Sequence, residues 1–194
     1  RLLRDPSIIR HSDGYYYIVY TTDWNGSDFG IARAKDLKNW ELVREVKITL
    51  PGTTNTWAPE WFRDKDGSLK VVVSLSKDGT KGPFGAYVIE PNADFSQWSD
   101  PKPMQGLQGN FIDTFVVSTD GGYTAFVKNE TTKFIELATS KSLLGPWKLE
   151  KTGDWAGWGS WREGQALVKL PNGGYRIYFD DYMTKHYWYS DSLD

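Results

Sequence analysis

Phe115-Val116-Val117-Ser118-Thr119-Asp120-Gly121-Gly122-Tyr123-Thr124-Ala125-Phe126-Val127 is two β-rich runs folded about an Asp-Gly pair. Branched and aromatic side chains suit a pleated, half-buried surface. Asp-Gly and Asn-Gly supply the positive φ angles that a type I′ hairpin turn needs at both central positions. The same device recurs at Asp13-Gly14, Asp66-Gly67 and Asn172-Gly173, each between runs of the same kind. From 13 to 66 to 120 to 172 the steps are 53, 54 and 52 residues.

A second landmark follows each of the first three turns. It ends in Trp40 after Leu37, in Trp98 after Phe95, and in Trp147 after Leu143. A fourth copy starts at Ser190-Asp191-Ser192-Leu193. This is a turn leading from a third strand into a fourth, and the three Trp side chains are expected to pack between neighbouring units. Alternation and turn residues dominate, with hardly any helical periodicity. Four strands every 53 residues or so means a β-propeller, whose blades bury their faces on each other. The expectation is an all-β chain, residues 1–194 forming about four blades of a five-bladed propeller. The blades start near residues 5, 60, 113 and 163, and a fifth blade is absent. An open ring would expose sheet faces and an edge, so these residues are not expected to form a stable monomer alone.

The chain has 194 residues and a formal net charge of −2, enough for one sizeable core. Charges of both signs are interspersed, with no basic stripe for nucleic acid and no apolar run long enough to span a bilayer as a helix. Cysteine is absent, which excludes disulfides, thiol catalysis and Cys-ligated zinc. Aromatic residues are 15% of the chain, with ten Trp. A surplus beyond the needs of the core marks surfaces for flat apolar faces, such as the C–H face of a sugar ring.

Four acids fall just ahead of the four turns: Asp5, Glu60, Asp113 and Glu163. In a propeller the first strand of each blade lines the axis, so residues at its start gather at one mouth. Like charges held close cannot all ionise at their usual pKa values. A protonated acid beside an ionised base is what glycoside hydrolysis requires. The competing role for these acids is strand capping, or pairing with Arg4, Arg63 and Arg162. Trp24 and Phe29 in the first loop, and Trp155, Trp158 and Trp161 before Glu163, are candidates for the substrate rim. His11 is expected at the surface, and His186 in a loop of the fourth copy.

Arg4-Asp5-Pro6, Trp57-Ala58-Pro59-Glu60, Ile112-Asp113 and Glu163-Gly164, in that order and at blade spacing, resemble glycoside hydrolase family 43. The resemblance implies a five-bladed inverting glycosidase acting on arabinofuranosyl, xylosyl or galactosyl linkages of plant-type polysaccharides. Asp5 then matches the base that activates water, Glu163 the general acid, and Asp113 the residue that orients Glu163 and raises its pKa. Trp57 matches an aromatic wall against the sugar. Trp24, Phe29, Trp161, Arg162 and Glu60 complete the expected binding set. In an inverting pair the carboxyls of Asp5 and Glu163 should stand roughly 6.5–9.5 Å apart. The resemblance requires no cofactor and leaves an axial calcium open. It implies a carbohydrate partner, no nucleic acid, no membrane, and a secreted or periplasmic setting. Alternatives are a propeller glycosidase for another sugar, such as a fructoside, a non-catalytic carbohydrate-binding propeller, and a protein-interaction propeller.

Overall fold

The computed structural model describes residues 2–192. Among them are fifteen strands and one short 3-10 turn, Gly79–Lys81. Blade one is β1 (Arg4–Arg10), β2 (Tyr16–Thr21), β3 (Asp28–Ala34) and β4 (Glu41–Lys47). Blade two is β5 (Asn55–Arg63), β6 (Leu69–Ser76), β7 (Phe84–Ile89) and the short β8 (Lys102–Pro103). Blade three is β9 (Phe111–Thr119), β10 (Gly122–Asn129), β11 (Ile135–Ser140) and β12 (Lys148–Lys151). Blade four is β13 (Arg162–Lys169), β14 (Tyr175–Asp181) and β15 (His186–Ser192). Each sheet is antiparallel and pairs in chain order.

The first strands form the inner wall, with β1 packed on β5, β5 on β9 and β9 on β13. No contact of comparable extent joins blade four to blade one among the described residues. The second strands show why the blades stack. Along β6, Val71, Val73 and Leu75 enter the core between blades one and two, while Val72 faces the core between blades two and three. Alternation with period two thus buries both faces of one sheet. Phe95 closes the first of these cores, with Trp98 packed against it, and Leu143 and Trp147 close the second. The core between blades three and four is smaller, built on Ile135, Ile177 and Phe179.

Three local expectations are corrected. The hairpin turns are not type I′: Gly14, Gly67 and Gly173 have φ of 87°, 84° and 89°, but Asp13, Asp66 and Asn172 are not left-handed. The aspartate in two of these turns instead accepts backbone N–H bonds, Asp13 from Tyr15 and Asp66 from Ser68. Residues 190–192 of the fourth landmark still belong to β15, and Leu193 lies outside the described residues. His11 is not a free surface residue. Its ring packs on Tyr17 and Phe95, with centroids at 5.6 Å and 5.1 Å.

Candidate active site

Each inner strand carries a β-bulge near its start. The pairing slips between Arg4 and Ser7, between Trp57 and Glu60, opposite Phe126 and Lys128, and between Glu163 and Ala166. At each slip one residue is left-handed: Asp5 (φ 49°), Ala58 (47°), Asp113 (52°) and Gly164 (65°). A bulge bends the strand and re-aims its side chains. Asp5 and Asp113 therefore occupy equivalent places, Glu163 sits one residue ahead of its bulge, and Glu60 two residues behind. The four acids do not share one register.

Asp5, Asp113 and Glu163 line a single cavity of about 270 Å³ at the mouth. Asp5 is oriented by a relay. The Ala58 N–H donates to Thr21 Oγ1 (2.9 Å), and the Thr21 hydroxyl donates to Asp5 Oδ2 (2.8 Å). Asp113 is held by its neighbours' backbone. Its N–H donates to Ser74 Oγ (3.2 Å), and its Oδ2 accepts from the Gly164 N–H (2.9 Å). Gln165 Nε2 donates to the Asp113 carbonyl. Glu163 Oε2 accepts from the buried Lys128 Nζ at 2.7 Å.

Desolvation, then the charges of Glu163 and Asp5, push the half-buried Asp113 up to about 8. The Glu163 charge thus favours a proton on Asp113, while the Glu163 carboxylate is paired with Lys128. Asp180 stands beside Glu163 on β14, and burial and the Glu163 charge push it up to about 6.

Trp24, Trp57 and Trp161 line the same cavity. Trp57 stacks on Phe84 with centroids at 4.5 Å, and its Nε1 donates to the Trp24 carbonyl (2.9 Å). The Arg4 guanidinium lies 4.1 Å from the Trp24 ring centre. Other predicted positions are not brought to the mouth. Phe29 is fully buried in the core between blades one and two, because its β3 position faces inward. Arg162 turns aside to pair with Asp181 at 2.9 Å. Trp155 and Trp158 pack on each other, and Trp158 on Phe179. Glu60 lines a separate axial cavity of about 120 Å³ below the mouth, shared with Asp5 and Asp113. Burial pushes it up to about 7, against a hydrogen bond from Ser7 Oγ (2.8 Å) that acts to lower it.

Sequence reasoning missed Lys128, Glu130, Lys133 and Tyr182, all lining the mouth. The signal for Lys128 was a lysine closing the apolar run Ala125-Phe126-Val127; Glu130 and Lys133 carried none. A larger groove of about 510 Å³ lies between blades three and four. Its walls are mostly apolar, and its acid Asp191 is bound by both ends of the Arg176 guanidinium.

The arrangement supplies neighbouring carboxyls, Glu163 ion-paired and Asp113 with raised proton affinity, beside an aromatic wall. Two relatives are glycosidases by name. The chain is 30% identical over 106 residues to "Xylosidase/arabinosidase 43B" of Humicola insolens, covering 50% of this chain and 20% of that protein. It is 26% identical over 186 residues to "Alpha-L-arabinofuranosidase" of Bifidobacterium longum, covering 74% of this chain and 18% of the other. The chain thus spans about a fifth of the length of these relatives. Among solved structures, the GH43_1 enzyme of Xanthomonas citri complexed with xylotriose superposes with a TM-score of 0.74 at 17% identity, over 99% of this chain and 70% of that one. A family 117 glycoside hydrolase of Zobellia galactanivorans gives 0.77 at 15%, over 99% and 66%. Both share the propeller fold. Residues 1–193 match the model of the glycosyl hydrolase 43-related family, described as a "Probable glycosyl hydrolase domain", and the chain belongs to that family.

Proposed function

We propose that this chain forms the catalytic face of an inverting glycoside hydrolase acting on arabinofuranosyl, xylosyl or galactosyl linkages of plant-type saccharides. The observation that carries this is the convergence of Asp5, Asp113 and Glu163 on one cavity beside Trp24, Trp57 and Trp161. Asp5, held as an acceptor by Thr21, takes a proton from the attacking water. Glu163 gives a proton to the departing glycosidic oxygen from the opposite side of the sugar. Inversion needs both carboxyls at once, with water and anomeric carbon between them. The Glu163 charge raises the proton affinity of Asp113, so a proton is held beside the general acid. Turnover draws that proton through Glu163. The tryptophans offer flat apolar faces to the C–H face of the sugar.

Among the described residues no three His, Asp or Glu side chains are grouped as metal ligands, and no step is routed through a metal. The enzyme is proposed to work in a secreted or periplasmic setting, because polymeric plant saccharides are met outside the cytoplasm.

The test is release of nitrophenol from aryl arabinofuranoside, xyloside and galactoside by the full-length protein, with the anomer of the first product read by NMR. Glu163→Gln and Asp5→Asn are each expected to lower kcat by about 10²–10⁴-fold with the fold intact, the range that positioned acid and base groups supply. Wild-type rates in both variants, or a retained anomer, would overturn these roles.

A further inference from the structure

Lys128 is 1% exposed, and no part of the proposed acid-base pair requires it. Its ammonium lies 2.5 Å from Glu130 Oε2, 2.7 Å from Glu163 Oε2 and 3.4 Å from Tyr182 Oη. It donates hydrogen bonds to Glu163 and Tyr182 and is ion-paired with Glu130. The Tyr182 ring centre is 4.7 Å away, so its face covers the same charge. Glu130 is in turn bound by Lys133 at 2.7 Å. The result is a line of alternating charge, Glu163–Lys128–Glu130–Lys133, running from the axis to the rim.

Burying an ammonium costs several kcal/mol before its partners repay it, and apolar side chains of similar volume often serve stability as well. Packing alone gives no reason for a lysine at this place. Position gives one. Glu163 sits at the start of β13 beside the left-handed Gly164, where its own strand does little to fix the side chain. Its carboxylate accepts a hydrogen bond from Lys128 Nζ. The Lys128 backbone is held on both sides, because it lies on β10, the second strand of blade three, paired with Ile112 on one side and Ile135 on the other.

We propose that Lys128 is a positioning residue for Glu163: it fixes where the carboxyl of the general acid points, and it stabilises the carboxylate left behind when the proton passes to the leaving oxygen. Glu130 and Lys133 hold the ammonium in place. This rests on the hydrolase assignment for its kinetic consequence but not for its structural one, and the experiment separates the two.

Lys128→Met in the full-length protein keeps the volume and removes the charge. Crystal structures of wild type and variant come first. The Glu163 carboxyl is expected to leave its wild-type place by more than about 1 Å, beyond the tolerance of a productive geometry; an unmoved carboxyl overturns the proposal whatever the enzyme does. Kinetics come second, on two aryl glycosides of the sugar that wild type cleaves. With a poor leaving group, kcat should fall on the order of 10- to 100-fold at unchanged KM, part of what a general acid supplies. With dinitrophenol, which leaves without a proton, the fall should stay under about 3-fold. Equal losses on both substrates would mark a merely structural lysine and overturn the proposal. If wild type cleaves no glycoside, the hydrolase reading falls and the crystal comparison still decides the role of Lys128. If Lys128→Met does not fold, Lys128→Gln, which keeps a donor without the charge, takes its place in both measurements.

Discussion

Asp113 is a largely desolvated carboxyl with the charges of Glu163 and Asp5 near it, and its proton affinity follows from that. Its pKa is raised to about 8, and burial raises that of Glu60 to about 7. Both bind a proton more tightly in the folded chain than in the unfolded one. The stability they contribute is therefore complete below the ordinary carboxylate pKa and is lost as pH rises through about 7 to 8. Surface acids whose pKa values are lowered, such as Asp36, Asp66 and Asp94, act in the opposite sense, and only in acid. Between pH 5 and 8.5 the buried pair should dominate, and the wild-type Tm should fall. Asp113→Asn and Glu60→Gln keep the shapes without the ionisation. Each should flatten the fall, and each should stand above wild type at pH 8.5 by at least about 2–4 °C, the shift that 1 kcal/mol gives in a chain of this size. Melting curves that are flat with pH, or variants less stable than wild type at pH 8.5, would refute this account. At this scale Asp5, Asp113 and Glu163 were legible because motif and spacing both mark them. Lys128 was not, because the bulge opposite it breaks the alternation from which a strand's inward side is read.

The bulge is the element that turns four similar strands into one site. Counting back eight residues from the turns at 13, 66 and 172 reaches Asp5, Ala58 and Gly164. The third hairpin is shorter, with Thr119 paired directly to Gly122, and there Asp113 lies seven back. Glu60 lies two residues beyond Ala58 and Glu163 one before Gly164, so the count alone did not say which acid leaves the mouth. What sequence could not show is that the equivalent positions are left-handed. Aspartate tolerates that conformation better than most residues, alanine does not, and glycine takes it freely. Ala58→Gly should therefore be neutral or stabilising by up to about 1 kcal/mol, the strain released at such a φ. Ala125→Gly, in the regular interior of β10, should cost about 0.5–1 kcal/mol or more. Gly164→Ala meets no atom within 4 Å of the added carbon, so its cost is that of the backbone alone, about 1–2 kcal/mol. Urea titrations of the three variants measure all of these. An Ala58→Gly variant as damaged as Ala125→Gly would show that the bulge holds no strain.

Across the whole molecule, the repeat fixes the order of blades and the landmark turns fix how they lock. Period, hairpin positions and the wedge residues were all legible, because each blade repeats one solution to one packing problem. The lengths of the outermost strands were not, since β8 is only two residues long and little but local pairing sets it. The three landmark tryptophans also differ in a way their shared motif conceals. Trp147 is 5% exposed, belongs to the core between blades two and three, and donates its Nε1–H to the Leu143 carbonyl at 2.8 Å. Trp40 makes the same kind of bond to Leu37 at 3.3 Å, but it is half-buried and joins none of the three cores. Its blade has no preceding neighbour among the described residues to receive it. Trp147→Ala should therefore cost about 3–5 kcal/mol, the range for a buried Trp truncated to Ala. That is a large fraction of the roughly 5–15 kcal/mol that holds a domain folded. Trp40→Ala in these 194 residues should cost well under half of that. Denaturation of both variants, in this chain and in a longer one, reads the difference directly. A Trp40→Ala cost that rises toward that of Trp147→Ala only in the longer chain would show a further blade seated against blade one. Equal costs within these 194 residues would contradict the packing described.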